Sequence, residues 1–556
     1  MKEFFKNIFI ILNREERRKL FRLAILDVLI NIFDILFLVA LLFVINFYTQ
    51  ADHPATVLGI RLTVFNESPL LLITVFFLLF SIKNLLGFFI FKIQYNFVYG
   101  VASRISGDHL LHYLEGTYDD YVHIDSSIYI RKISQQPIEF CLYVLNGMQQ
   151  VFSQAVLIII TIIAILLFNP LLFPLLILVL LPPVFLIAFL MKKKLASARV
   201  YGKKTSEKTI QHLQEALSGF VESNVYGQND FFKHRYHSFQ ERLNHFLAEK
   251  QVIQNMPSRL TEVFAVFGLF FLILLNSVTS DSNSIRIVTI GAFMAAAYKI
   301  IPGIVRIMNT LSQVKTYAFT VTDLLSKQLA FKKRKEEYTA IRSIEFENID
   351  FSYPGKKVLQ SFSLKFEKGD LIGISGMSGK GKTTIANLLL GFLSQHSGTI
   401  FINEVITTSE DRQAYWNKIS YVKQQPFFIH DSILKNICFR EDEYDRERLA
   451  RAISVTGVDK LIHTIPGGIE AIITENGKNF SGGQRQRIIF ARALYKDFDC
   501  IILDEPFNEL DEASEIMMLT QLQEIARQGR IVVLITHNKA ALSFCNKKII
   551  LDGTGE

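Results

Sequence analysis

Cysteine, charge and outward-facing basic residues are all scarce in this chain of 556 residues. The four cysteines (Cys141, Cys438, Cys500 and Cys545) show neither metal-ligand nor redox spacing. That excludes a disulfide framework and suits a protein whose bulk faces a reducing cytosol. Charged residues make up 20%, while half the chain is hydrophobic and 48 residues are phenylalanine. The apolar excess lies in the first three hundred residues, in runs long enough to cross a bilayer. A net charge of +8 would fit a nucleic-acid partner, but its distribution does not. Basic residues crowd the N-terminus (Lys2, Lys6, Arg14, Arg17, Arg18, Lys19, Arg22) and the stretch from Lys192 to Lys208. The short segments expected outside carry little beyond Arg61 and Arg286. This is the positive-inside asymmetry of a membrane protein, and it argues against nucleic acid. Small-residue cleavage chemistry is also missing after residues 1–12, where Asn13-Arg14-Glu15-Glu16 follows directly. The segment therefore reads as a helix lying on the inner membrane surface, not a signal peptide. No internal repeat is visible.

The length calls for at least two units. Six spans can be drawn, at 20–48, 69–95, 140–168, 171–191, 260–275 and 287–308, the third and fourth joined by Asn169-Pro170. The loop between the last two is polar, around Asp281 and Asn283. Outer loops are short, whereas the inner segments 100–137 and 192–257 are long, polar and helix-rich. An even number of spans puts the N-terminus and the C-terminal half on the same, cytoplasmic, side. The expectation is an all-α six-helix transmembrane domain at 1–328, a charged linker at 329–342 around Lys332-Lys333-Arg334-Lys335, and an α/β P-loop domain at 343–556.

The second half carries chemistry. Gly376-Met377-Ser378-Gly379-Lys380-Gly381-Lys382-Thr383 fits the phosphate-loop pattern G-x4-G-K-[ST]. A strand-like run at 371–375 precedes it and a helical run beginning at Thr384 follows, the context a phosphate loop needs. Its N–H groups can cradle phosphates, Lys382 can reach the β- and γ-phosphates, and the Thr383 hydroxyl can ligate Mg²⁺. Cys500-Ile501-Ile502-Leu503 is an apolar strand ending in two acids. Asp504 is placed to hold the Mg²⁺ shell and Glu505, one residue on, to act as base toward the attacking water.

A third element is Phe480-Ser481-Gly482-Gly483-Gln484, about a hundred residues past the phosphate loop. Loop, glycine-rich turn and acid pair, in that order, resemble the ATP-binding cassette (ABC) ATPases, whose signature is Leu-Ser-Gly-Gly-Gln. The resemblance implies ATP and Mg²⁺ as cofactors and assigns further residues. Tyr353 matches the aromatic that stacks on adenine. Gln424, in Tyr421-Val422-Lys423-Gln424, matches the glutamine that approaches Mg²⁺ and water. Glu475-Asn476-Gly477 precedes the signature, and His537 follows a strand at 531–535 as the histidine contacting the γ-phosphate. Asp511 matches the D-loop aspartate. Two departures stand out. Phe480 replaces leucine, and the D-loop reads Asn508-Glu509-Leu510-Asp511 where Ser-Ala-Leu-Asp is usual.

The membrane half resembles the exporter-type (type IV) ABC fold, which implies coupling helices near 118–133 and 219–227. In that family the signature acts on ATP bound by the opposite cassette. One cassette and six spans then make a half-transporter in the inner (plasma) membrane, cassette in the cytoplasm. With Lys382, Glu505 and His537 all present, a homodimer is the economical expectation and a heterodimer the alternative. Charge inside spans is costly and points to function. Asp27 and Asp34 share a helical face, Lys83 lies at a similar depth, and Lys299, Arg306 and Gln313 recur at seven-residue spacing around Pro302. Asp34, Lys83, Lys299 and Arg306 form the candidate substrate cavity. Tyr298-Lys299, Pro302, Arg306 and Lys83 resemble the branch of lipid-linked oligosaccharide flippases, implying an amphipathic, anionic lipid cargo. The alternatives are structural ion pairing within the bundle, a multidrug or peptide exporter, and an ATP-gated channel or regulator.

Overall fold

A computed structural model describes residues 2–49, 56–57, 60–61, 69–116, 118–168, 170, 182, 204–278, 287–328 and 339–551. They form two compact units, one of Met1–Gly116 with His123–Phe331 and one of Thr117–Val122 with Lys332–Glu556. All of the expected span at 171–191 except Pro182, the loop around Asp281 and most of the charged linker lie outside the described residues.

The described residues of the first unit are largely helical, with a two-residue antiparallel pairing of Thr56–Val57 with Ile60–Arg61. Among the described residues its main helices are α1 (Lys2–Ile11), α2 (Arg14–Thr49), α3 (Pro69–Leu114), α4 (Asn146–Phe168), α5 (Asn229–Val278), α6 (Ile287–Thr316) and α7 (Phe319–Gln328). Among the described residues three segments, Arg14–Leu41, Leu70–Leu114 and Ser126–Leu167, are long and apolar enough to cross a membrane. At 50 residues, α5 is about 75 Å long at 1.5 Å per residue, against a hydrocarbon core of about 30 Å. Helices of this length run far past the bilayer, as the long inner segments lead one to expect. Phe77, Leu85, Phe88 and Phe91 of α3 are exposed, an apolar surface that only lipid or another apolar partner satisfies. The third expected span does not begin as a regular helix. Two π-helical stretches, Arg131–Gln135 and Phe140–Leu145, precede α4.

A core gathers Ile8, Ile11 and Leu12 from the N-terminal segment, Phe97, Val98 and Val101 of α3, and Val321 and Leu324 of α7. One face of α1 is thus packed on protein, while Phe5, Phe9 and Ile10 are exposed. The α3 guanidinium of Arg104 donates from Nε to Glu16 Oε1 at 2.7 Å and from Nη2 to Oε2 at 2.9 Å. This paired geometry fixes α3 against the start of α2.

In the second unit the main strands and helices are β1 (Ser343–Tyr353), β2 (Lys356–Glu367), β3 (Leu371–Gly376), α8 (Lys382–Leu389), β4 (Ser397–Ile402), β5 (Ile419–Val422), α9 (Gly482–Tyr495), β6 (Cys500–Asp504), α10 (Glu512–Arg527), β7 (Ile531–Ile535) and β8 (Lys547–Leu551). A parallel sheet has the order β8-β3-β7-β6-β5, and β2-β1-β4 continue into Val405–Ile406 as an antiparallel sheet. Every residue of β6 and β7 is buried, the continuous apolar pattern of a parallel strand covered on both faces. Successive side chains serve opposite cores. Ile501, Leu503, Val532 and Leu534 pack with Ile488, Phe490 and Leu522. Cys500, Ile502, Ile531 and Val533 pack with Phe346, Ile385 and Ile400.

The far end of α8 is tied down by one short polar helix, Ser409–Ala414, which Thr408 and Asp411 cap reciprocally. Arg412, completely buried, donates to Leu388 O at 2.7 Å, Thr407 O at 3.0 Å and Leu393 O at 3.3 Å. Gln413 donates to Gly391 O at 2.8 Å and the Trp416 indole to Leu390 O at 2.7 Å. Burial lowers the Arg412 guanidinium to about 10. Tyr118, from the expected coupling region, belongs to this unit and stacks on Phe392 with ring centroids 4.6 Å apart.

Candidate active site

The phosphate loop, the acid pair, Gln424 and His537 come from four adjacent strands of the parallel sheet, each just past a carboxyl end. Open parallel sheets place their binding crevices there. The loop runs from the end of β3 into α8, with Met377 to Lys380 exposed and Gly381, Lys382 and Thr384 buried. Gly381 caps α8 at φ 99°, and a Cβ there would lie 2.7 Å from Val358 Cγ1. Conformation and space both demand glycine. Lys382 Nζ donates to Gly376 O at 2.8 Å and Met377 O at 3.3 Å, inside the loop it is expected to serve.

Thr383 Oγ1 donates to Asp504 Oδ2 at 3.1 Å, which brings together two residues 121 positions apart in sequence. Burial pushes the Asp504 carboxyl up, and the Thr383 hydroxyl draws it part of the way back. A hydroxyl beside a carboxylate, next to a phosphate cradle, suits Mg²⁺, which takes few protein oxygens and fills its octahedron with phosphate and water.

Glu505 sits at φ 49°, the left-handed region, where its N–H donates to Ile535 O at 2.9 Å. Holding a side chain with a Cβ there costs about 1–3 kcal/mol and is typical of functional turns. Its carboxylate is a hub. Gln424 Nε2 donates to Oε2 at 2.8 Å, Asn508 Nδ2 donates to the same oxygen at 3.1 Å, and His537 Nδ1 stands 3.5 Å from Oε1. Gln424, Glu505 and His537 are therefore brought together. Asn508 joins them although sequence reasoning treated it only as a departure from the usual serine; an amide three residues past the base was the available signal. Tyr353 is exposed at the end of β1, opposite Lys356 across the turn at Gly355.

Ser481 caps α9 and forms a reciprocal box with Gln484, Ser481 N donating to Gln484 Oε1 at 2.9 Å and Gln484 N to Ser481 Oγ at 3.4 Å. The signature thus presents a helix N-terminus. Phe480 is buried in the adjoining core, which explains why an apolar residue suffices where leucine is usual. Ser481, Gly482, Gly483, Gln484, Glu509 and Asp511 line one side of a hollow of about 810 Å³. Asp511 caps α10 by accepting from Ser514 N at 3.1 Å.

In the first unit Asp34 accepts from Lys83 through Oδ1 and from Lys299 through Oδ2, the latter at 3.0 Å. No acid lies near Lys299 in sequence; its partner Asp34, grouped with it and with Lys83 in the candidate cavity, comes from a helix 265 positions away. Arg306 does not join this group. It is exposed on α6, with no ion-pair partner among the described residues. Asp27 accepts from Gln149 at 2.8 Å. Replacing Asp34 with alanine should leave two ammonium groups facing each other at a largely covered site. A loss of about 3 kcal/mol is expected, read as a lower thermal midpoint of the detergent-solubilised protein, with Asp34→Asn intermediate. An unchanged midpoint would show that the triad contributes nothing to the bundle.

Residues 359–508 match the ABC transporter family, and residues 144–300 match the ABC transporter transmembrane region. An ATP-dependent lipid A-core flippase of Desulfotalea psychrophila is 28% identical over 362 residues, 64% of this chain and 63% of the relative. An export ATP-binding/permease protein of Rickettsia bellii is 37% identical over 213 residues, 38% of this chain and 37% of the relative. The chain thus matches less than two thirds of the length of these relatives. Among solved structures, a bacterial Atm1-family ABC exporter with ATP bound superposes with a TM-score of 0.77 at 15% identity, covering 96% of this chain and 94% of that one. This likeness establishes the fold.

Proposed function

We infer that this chain, an exporter-type ABC half-transporter in which an ABC transporter transmembrane region is fused to an ABC transporter ATP-binding domain, drives the export or flipping of an amphipathic, lipid-like molecule by hydrolysing ATP. The observation that carries the reading is the convergence on Glu505 of Gln424, Asn508 and His537, beside the Thr383–Asp504 pair. Two copies face each other, so that the phosphate loop of one and the signature of the other enclose each nucleotide. The basic N-terminal segment and the ATP-binding domain lie on the cytoplasmic side of the inner membrane.

Thr383 and Asp504 would hold Mg²⁺, which would neutralise phosphate charge when bound. Lys382 swings from the Gly376 and Met377 carbonyls to the β- and γ-phosphates. Gln424 and Asn508 donate to one oxygen of Glu505 and fix the carboxylate. Its other oxygen takes a proton from water as the water oxygen bonds to the γ-phosphorus and the bond to the β-phosphate oxygen breaks, leaving ADP and phosphate. His537, 3.5 Å from that oxygen, contacts the γ-phosphate.

Lipid cargo is supported by the names of the flippase relatives and by Lys83, Lys299 and Arg306 in the spans, of which Asp34 pairs with the two lysines and not with Arg306. Arg306, outside that group, is the cation best able to grip a phosphate bidentately. The short helix Phe220–Val225 lies in the expected coupling region and exposes Phe220, Val221 and Val225. In lipid vesicles, a phosphate-bearing amphipathic lipid should stimulate ATP turnover, and neutralising Lys299 and Arg306 together should abolish the stimulation. Equal stimulation of the double variant, or stimulation by neutral hydrophobic compounds alone, would shift the reading to a multidrug exporter with these cations as bundle architecture.

A further inference from the structure

Glu509 stands where the D-loop of the resembled family carries a small residue, and its side chain does not point away into solvent. The carboxylate lies against Gly482 at the start of α9, so that a Cβ on Gly482 would overlap it, and the Glu509 carbonyl is 3.1 Å from the Cβ position of Gly483. Arg485, one turn along the same helix, donates to Glu509 Oε2 at 3.2 Å. Glu509 N donates to Gln486 Oε1 at 3.3 Å. Backbone and side chain are therefore both fastened to the signature helix, and the carboxylate belongs to the wall of the hollow that Ser481, Gly482 and Gly483 also line.

A helix N-terminus favours negative charge. In the shared-site reading proposed above, on which this inference rests, the anion received there is the γ-phosphate of the nucleotide on the opposite subunit. We propose that the Glu509 carboxylate is an internal stand-in for that phosphate, held over the signature by Arg485, and that closure of the two domains around ATP requires it to be displaced. Glu509 is thus a positioning residue that sets how much ATP is needed to engage the shared site. The latch is weak. The carboxylate is 46% exposed and the guanidinium 28%, and an ion pair of that exposure shifts an equilibrium by no more than about five-fold. A nucleotide can therefore win the position.

The test uses the full-length protein in lipid vesicles. Glu509→Gln keeps the shape and removes the charge; it should lower the ATP concentration for half-maximal hydrolysis about two- to five-fold, with the change falling on that concentration and not on the maximal rate. Added salt should lower the same concentration in the parent protein, by screening the latch, and affect Glu509→Gln much less. Arg485→Gln should act in the same direction as Glu509→Gln, because it frees the carboxylate. An Arg485→Gln protein that needs more ATP, or a Glu509→Gln protein with an unchanged ATP and salt response, overturns the latch. Binding of fluorescent ADP to the phosphate loop, unaltered in each variant, reports that the domain is folded. Failure of the shared-site reading shows separately, in mixed dimers of Ser481→Arg and Lys382→Ala chains: without complementation that reading falls whatever Glu509 does.

Discussion

A Glu505→Gln protein should bind ATP normally and hydrolyse it at least about 100-fold more slowly, a barrier increase of about 2.7 kcal/mol. The amide keeps the length and planarity of the side chain. Its carbonyl oxygen can still accept from Gln424 Nε2 and Asn508 Nδ2, which reach the native carboxylate at 2.8 and 3.1 Å. What disappears is the basicity of the oxygen beside His537. Because binding is retained while turnover stops, nucleotide should remain trapped between the two ATP-binding domains. Phosphate release and retained radiolabelled nucleotide on the purified variant measure the two halves of this expectation. Turnover within a few-fold of the parent would remove Glu505 from the role of base.

The second large effect concerns the pairing of chains. Ser481→Arg should silence the site whose phosphate loop belongs to the partner, and Lys382→Ala should silence the site on its own chain. Each homodimer should then be nearly inactive. A mixed dimer places both lesions in one site and leaves the other with an intact loop and an intact signature. Mixing the two preparations should restore ATP occlusion at that intact site, and hydrolysis with it if the sites fire independently. The substituted arginine also removes the Ser481–Gln484 cap, at a cost of about 1 kcal/mol. Ser481→Ala, which loses the same cap without filling the hollow, therefore serves as the stability control. A mixture that occludes no more nucleotide than either variant alone would mean that each chain completes its own site.

The parts of the site that were legible in the sequence are those in which a short stretch of backbone carries the chemistry. Gly376 to Thr383 and Leu503 to Glu505 need only a strand end and a turn, and hydrophobic periodicity announces both. Their convergence at Thr383 and Asp504, 121 positions apart, follows from two strands of one parallel sheet ending at the same edge. Contacts that depend on which faces of long helices meet were not legible. Asp34, Lys83, Lys299 and Arg306 were grouped by charge and depth, but that Asp34 accepts from both lysines while Arg306 faces away depends on how α2, α3 and α6 pack, which span composition does not reveal. The π-helical stretches before Asn146 were hidden for a related reason: composition does not reveal where a helix takes an extra residue into a turn. Arg412 was hidden differently. In Ser409-Glu410-Asp411-Arg412-Gln413 it reads as one more solvated charge, and only the tertiary structure shows that it is completely buried among carbonyl groups. Glu509 was visible as a departure, but its contact with Gly482 depends on how the loop after β6 folds back on α9.

The anchor on the far end of α8 has an electrical consequence. An isolated helix of eight residues has two opposite poles, and its carbonyl end would set a negative potential not far from the phosphates at the other end. Here the carbonyls of Leu388, Leu390, Gly391 and Leu393 face a guanidinium, an indole N–H and an amide. The guanidinium stays charged at neutral pH even when burial lowers it to about 10. The negative pole is thereby cancelled locally, in a medium too poor in water to screen it otherwise, while the amino end beneath Gly381 and Lys382 keeps its positive field undiminished. In effect the phosphate loop rests on a one-ended dipole, and a side chain at the other end of the eight-residue helix raises its grip on negative charge without touching the loop.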